Sequence, residues 1–278
     1  MPANLYALGA IALWITLASL GALLRHIPPF LLTGVALFIG SLLALPSVLK
    51  DRRHWQVPAK TLALGVYGLF GYHFLLFIAF QHAPPVEANL VNYLWPLLMV
   101  VLAPLFLAGV TLRAVHVAAA LLGFGGAAVA ILGASQGAAG GWSWGFVPAL
   151  ASAFVWASYS LLTQRVKPFS TAAIGLFGAV SSVLALMFHW ALEAPTSLSN
   201  RDWLLLVVMG LGPLGAAFFL WDKALKTGDA RQIGILSYLT PLGSTALLML
   251  VNNRAPSWSL GLAAVMIVGA AMLGARAK

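Results

Sequence analysis

The intervals between charged residues decide what this chain can fold into. A helix needs roughly 20 apolar residues to cross the hydrocarbon of a bilayer, and the sequence supplies ten such intervals, near 4–24, 29–49, 61–81, 88–108, 114–134, 143–163, 170–191, 203–221, 231–251 and 258–275. Hydrophobic residues fill 62% of the 278 positions and charged ones 8%, against about 45 to 50% and about 25% in soluble domains. The expected fold is therefore an all-α polytopic membrane protein, with no soluble domain to house separate chemistry. The first interval lacks the basic start of a signal peptide and nine similar intervals follow it, so it reads as a retained span. Cysteine is absent, which removes disulfides, thiol nucleophiles and cysteine metal sites.

The net charge of +9 does not mark a nucleic-acid partner, because the cations lie in short loops rather than on one face. They encode orientation instead. With both termini cytoplasmic, Lys50, Arg52, Arg53, Lys60, Arg113, Arg165, Lys167, Lys223, Lys226, Arg231, Arg276 and Lys278 fall inside, and only Arg25, Arg201 and Arg254 fall outside. That asymmetry is a strong positive-inside signal.

One pattern occurs twice. NLVNYLWPLL at 89–98 and GILSYLTPLG at 234–243 share Tyr-Leu-x-Pro-Leu at a shift of 145 residues, and the same shift aligns Gly65 with Gly210, Leu69 with Leu214, Phe74 with Phe219, Leu75 with Leu220 and Ala79 with Ala224. Trp14 in ALW and Trp156 in FVW open the two halves, and ILGA at 131–134 matches MLGA at 272–275. The expected organisation is two five-helix repeats, residues 1–136 and 137–278, around a central cavity, with the Gly-rich SQGAAGG as an exposed linker. Five is odd, so the second repeat is inverted. The loops agree: QHAPPVE lacks Lys and Arg, while its counterpart DKALKTGDAR carries three. Inverted repeats with a midplane site are a common plan of secondary transporters.

The Trp-bearing first helices and Pro-bearing fourth helices of both halves, over nearly the whole chain, resemble the EamA-type ten-helix branch of the drug/metabolite transporter superfamily. The run NYLWPLLMVVLAPLF is similar to that of its YddG group of aromatic amino acid exporters. The resemblance implies a secondary transporter that exports aromatic and other neutral amino acids by alternating access across a bacterial cytoplasmic (inner) membrane.

The residues themselves point to a cavity. A proline within a helix frees the carbonyl four residues earlier, here those of Asn92 and Ser237, and in lipid such a group needs a partner or a wet cavity. Asn89, Asn92, Tyr93 and Pro96 share one helical face, as do Gly234, Ser237, Tyr238 and Pro241. The alternative is a pair of kinks in packed helices. The sixth helix adds Trp156, Tyr159, Ser160 and Thr163, the third Tyr72 and His73, the first Trp14 with Thr16 or Ser19. Trp95 and Trp156 lie deep and suit stacking on a flat apolar solute, whereas Trp142, Trp144, Trp203, Trp221 and Trp258 are expected in interfacial belts. His73 is the mid-span ionisable residue, the expected source of any pH dependence or else a neutral imidazole bonded to a helix carbonyl. Glu87 and Asp222 are expected to be solvated at span ends. A substrate carboxylate is expected to meet helix ends or neutral polar groups rather than arginine.

Other patterns carry no chemistry. GLGPLG at 210–215 fits a dinucleotide fingerprint without the βαβ unit it requires, and His189 with Glu193 lacks a third metal ligand. Ala119, Gly123 and Ala127, with Ala270 and Gly274, form small-residue stripes for close helix packing, within one chain or in a homodimer. No cofactor is expected. The competing readings are export of a purine or drug-like compound, an intramembrane enzyme, which would need a nucleophile and base that the spans do not assemble, and a scaffold without solute flux. Topology is directly testable. Single cysteines replacing Gly137 and Arg52 in intact cells should react with an impermeant thiol reagent at 137 and not at 52; the reverse pattern inverts the orientation.

Overall fold

The computed structural model describes residues 3–134, 142–251 and 257–275. The linker 135–141, with the boundary between the expected repeats, and Arg254, Arg276 and Lys278 lie outside the described residues. Within them the chain is helical throughout and contains no strand. Ten spans follow the charge-free intervals: Ala3–Leu23, Pro29–Lys50, Ala59–His82, Pro85–Phe106, Ala114–Gly133, the shorter Phe146–Leu162, Ala173–Leu192, Asn200–Thr227, Ala230–Val251 and Trp258–Ala275. They are called the first to tenth spans below.

The eighth span departs from expectation. Its helix does not stop at Trp221 but continues to Thr227, carrying Asp222, Lys223 and Lys226 with it. Asp222 is 3% exposed rather than solvated. The reason is a local pairing: one turn later Lys226 donates to Asp222 Oδ2 at 2.7 Å, and Thr171 donates to the same oxygen at 2.6 Å. An i,i+4 pair offsets the cost of burying each charge, so the helix passes the point where a charge-free criterion ends it.

The first span breaks at Thr16 and the second carries a 3-10 turn at Leu42–Ala44; four further spans are irregular, and their irregularities are paired. The fourth span breaks between Asn92 and Trp95, and the ninth between Leu236 and Leu239. The third widens into a π-helix at Tyr67–Gly71 and the eighth at Gly212–Ala216, positions separated by the same 145 residues as the Tyr-Leu-x-Pro-Leu copies. A π turn displaces one carbonyl from the regular ladder. In the eighth span the indole Nε1 of Trp14 donates to the carbonyl of Pro213 at 3.1 Å, so the first span satisfies a group that the wide turn leaves free.

Glycine allows the second span to touch this turn. A Cβ on Gly40 would lie 2.7 Å from the Leu214 carbonyl oxygen and 2.8 Å from that of Gly210, and neither backbone atom can move aside. The small-residue stripes are likewise consumed within one chain. Ala119, Ala127 and Ala270 are fully buried, Gly123 receives the Tyr238 ring and Gly274 the Ile235 side chain. Expected outcome: Gly40→Ala lowers the thermal stability of the detergent-purified protein by about 1 to 3 kcal/mol through overpacking. Gly261→Ala, where an added Cβ meets nothing within 4 Å, should be neutral or slightly stabilising. Equal melting of the two variants would contradict the packing described.

Candidate functional site: an aromatic-floored cavity

A cavity of about 980 Å³ lies among the described residues, at the upper end of the range of small-molecule sites. Its walls come from the C-terminal halves of the first, third and ninth spans and the N-terminal half of the fourth. These lie at one end of the bundle, the end that carries Arg25 and Glu87. The cavity therefore opens there and is closed toward the end that carries Lys50, Lys60, Lys167, Lys223 and Lys226.

The floor is built from indoles. Trp14, Trp95 and Trp156 line it, and Trp221 lies behind them. The rings of Trp14 and Trp156, one from the opening helix of each half, meet edge to face at 5.9 Å. Trp221 stacks on Trp156 at 6.2 Å, takes the edge of Trp95 at 5.6 Å and touches Trp14 at 5.2 Å. Such pairs contribute about 0.5 to 1.5 kcal/mol each beyond burial. Trp221 also donates from Nε1 to Ser160 Oγ at 3.1 Å. Among the described residues no hydrogen bond fixes Nε1 of Trp95 or Trp156, so those two indoles can offer a donor to a solute as well as a ring face.

A polar network supports the wall. Asn92 sits at the end of the broken helix, 3% exposed. It donates to the Tyr72 hydroxyl at 2.9 Å and accepts from Ser152 Oγ at 3.0 Å, tying together the third, fourth and sixth spans. The break thus has an account: Pro96 removes one donor, and side chains from two neighbouring helices hold the turn. His73 donates from Nδ1 to the Leu69 carbonyl at 2.6 Å, which places a proton on Nδ1 and fixes the ring beside Tyr72 and Phe218.

The structure brings eight of the thirteen expected site residues to the cavity: Tyr72, His73, Asn89, Asn92, Tyr93, Trp95, Trp156 and Pro241. Five lie elsewhere. Tyr238 is fully buried against the fifth and tenth spans, because Gly123 leaves a slot that its ring fills. Ser237 bonds back to the Ile233 carbonyl at 2.9 Å. The carbonyl of Pro96 packs on Gly234. Tyr159 lies over Gly68, and Ser160 accepts the Trp221 indole. The sixth span is buried on nearly every side from Ser152 to Leu161, so spacing along it does not single out a cavity face.

Trp221 is the largest correction. It is 1% exposed, not interfacial, while Trp142, Trp144, Trp203 and Trp258 are exposed near span ends as expected. Its neighbouring charges imitate a membrane boundary in the sequence; the Asp222 pair removes that boundary. Sequence reasoning also left out Thr240, Ser244 and Thr245, which line the cavity from the ninth span. Their spacing from Pro241 was the available signal. His189 and Glu193 form a bonded pair at 2.8 Å, and Glu193 also accepts from the Phe30 and Leu31 amides at 2.8 and 3.1 Å, so that carboxylate caps the second span.

The closed end is held by cross-half contacts. Arg231 donates to the Thr111 carbonyl at 2.6 Å, and Trp55 donates from Nε1 to the Ala172 carbonyl at 3.0 Å. Arrays of this kind can part and re-form as rigid groups of helices rock about a central site.

Comparison with known proteins agrees with this geometry. The EamA-like transporter family matches twice, at residues 1–132 and 143–275. An aromatic amino acid exporter YddG from Ancylobacter novellus is 39% identical over 97% of this chain and 95% of its own. The aromatic amino acid exporter YddG of Escherichia coli is 26% identical over 98% and 96%. A crystal structure 37% identical in sequence superposes with a TM-score of 0.89 over 98% of this chain and 96% of the other.

The indole cluster yields a stability test. Trp221→Ala should destabilise the protein by about 3 to 5 kcal/mol, as truncation of a buried large aromatic does, and Trp221→Phe by less. A melting temperature unchanged by Trp221→Ala would return this residue to the lipid interface.

Proposed function

The chain belongs to the EamA-like transporter family, and from that membership we propose that it exports aromatic and other neutral amino acids across the cytoplasmic membrane of a bacterium by alternating access. Both termini lie in the cytoplasm, and residues 1–136 and 137–278 act as two inverted repeats. The observation that carries the substrate class is the floor: three indoles and the Phe218 ring face a cavity otherwise lined mainly by tyrosine, neutral polar and aliphatic side chains, with Phe80, His73 and, at its rim, Arg25. A flat apolar ring gains stacking and burial there, and an isolated buried acid that would select a cation is missing from the lining.

The named relatives support the same class, and the paired breaks and π turns support the two repeats. In the proposed orientation the lysine-rich end is cytoplasmic, so the cavity described is open to the outside. The cycle closes this mouth and opens the other end as the contacts of Arg231 and Trp55 part. Binding and movement suffice for this; no bond in the solute is made or broken.

Proteoliposomes loaded with radiolabelled phenylalanine test the reading. The parent should release phenylalanine down its gradient and leave adenine behind. Trp95→Ala and Trp156→Ala should each slow phenylalanine release by about tenfold, the worth of one good ring contact, at matched protein in the vesicles. Absent phenylalanine flux in the parent, or undiminished flux in both variants, would sink the proposal.

A further inference from the structure

The first span presents Trp14, Leu17, Ala18, Gly21, Ala22 and Arg25 to the cavity. They fall at i, i+3, i+4, i+7, i+8 and i+11, one stripe that runs from the helix Ala3–Ile15 across the break at Thr16 along Leu17–Leu23 and into the turn that follows, where Arg25 stands. It begins at the tryptophan floor and ends at the open mouth. Beyond Leu17 the stripe carries only small side chains until Arg25, and a Cβ added at Gly21 would meet nothing within 4 Å. The track from floor to mouth is open.

Arg25 is the one Lys, Arg, Asp or Glu among the lining residues. It also stands at the end of the bundle from which the positive-inside rule withholds cations. Three of the described carboxylates stand at this end of the bundle, and Glu87, at the start of the fourth span, forms no ion pair with Arg25. Asp202 pairs with His26 at 3.1 Å and accepts from both the amide and the hydroxyl of Ser199; Glu193 is taken by His189 and two backbone amides. Among the described residues no carboxylate pairs with Arg25. A guanidinium at the rim of a cavity, with no protein acid to satisfy it, is left to bind an anion from solution.

We propose that Arg25 recognises the carboxylate of the transported amino acid in the outward-open state, receiving it as the ring leaves the tryptophan floor. The inference rests on the chain carrying amino acids. The planar fork of a guanidinium matches the two oxygens of a carboxylate. At an exposed rim the contact is weak enough to release its solute to the medium and is screened by salt.

The test compares two probes on the purified full-length protein: radiolabelled phenylalanine, and phenylalanine amide, which keeps the ring and ammonium but lacks the carboxylate. Arg25→Gln should weaken phenylalanine binding by about tenfold, the low end for a charge-assisted contact, while competition by the amide stays unchanged. Arg25→Lys should fall between, since an ammonium lacks the fork. The parent's affinity for phenylalanine should drop as salt is raised, and that of Arg25→Gln should not. If Arg25→Gln binds phenylalanine as the parent does, or loses the amide in equal measure, the role assigned to Arg25 is wrong while amino acid transport stands. Should the parent bind neither probe, the amino acid reading itself fails, and this inference with it.

Discussion

In hydrocarbon a backbone amide or carbonyl has no water to fall back on, so each must be answered inside the protein. That constraint orders this molecule. The first span breaks at Thr16 and the second tightens into a 3-10 turn at Leu42–Ala44, while the paired departures fall in the third, fourth, eighth and ninth spans, which surround the cavity or its floor. Two of these paired departures sit beside specific partners. Pro213 offers its carbonyl to Trp14, and Asn92 is held by Tyr72 and Ser152. There the irregular backbone lies where side chains or a cavity can complete it, and the same groups that satisfy the backbone shape the site.

The indole floor joins four helices from both halves: Trp14 from the first span, Trp95 from the fourth, Trp156 from the sixth and Trp221 from the eighth. Two of these indoles are anchored by hydrogen bonds, and two expose a ring and a donor to the cavity. The cluster is not symmetric. Where the fourth span carries Trp95, the aligned position of the ninth carries Thr240, and both line the cavity. One wall is therefore aromatic and the facing one hydroxylic. A solute with a flat apolar end and a polar end meets different chemistry on the two sides, which gives it a preferred way round.

Much of this was legible in the sequence because charge intervals and helical spacing report directly on lipid and burial. The ten spans, the doubled Pro-bearing helices, and Trp95, Trp156, Tyr72 and Asn92 at the cavity follow from those two signals. What escaped them is instructive. Trp221 was read as interfacial because Asp222 follows it, and an i,i+4 pair hides that charge inside a helix. Ser237 and Tyr238 were placed by assuming that the second repeat copies the first side chain for side chain. The slot at Gly123, in a different helix, captures the Tyr238 ring instead. Arg25 was counted only toward topology, and a substrate carboxylate was expected to meet helix ends or neutral polar groups rather than arginine; only the three-dimensional stripe places Arg25 in the cavity lining.

The sparing use of charge around the floor has an electrical consequence. A transmembrane voltage acts on a carrier only through charges that move in the field, at about 2.3 kcal/mol per elementary charge per 100 mV. The floor residues Trp14, Trp95, Trp156 and Phe218 are neutral, Asp222 and Lys226 cancel as a bonded pair, and Arg25 lies at the rim. With the floor neutral and its nearest charges paired, a transmembrane voltage finds few charges to act on at the middle of this protein, and the charged rim and lysine-rich end lie where the field is weakest.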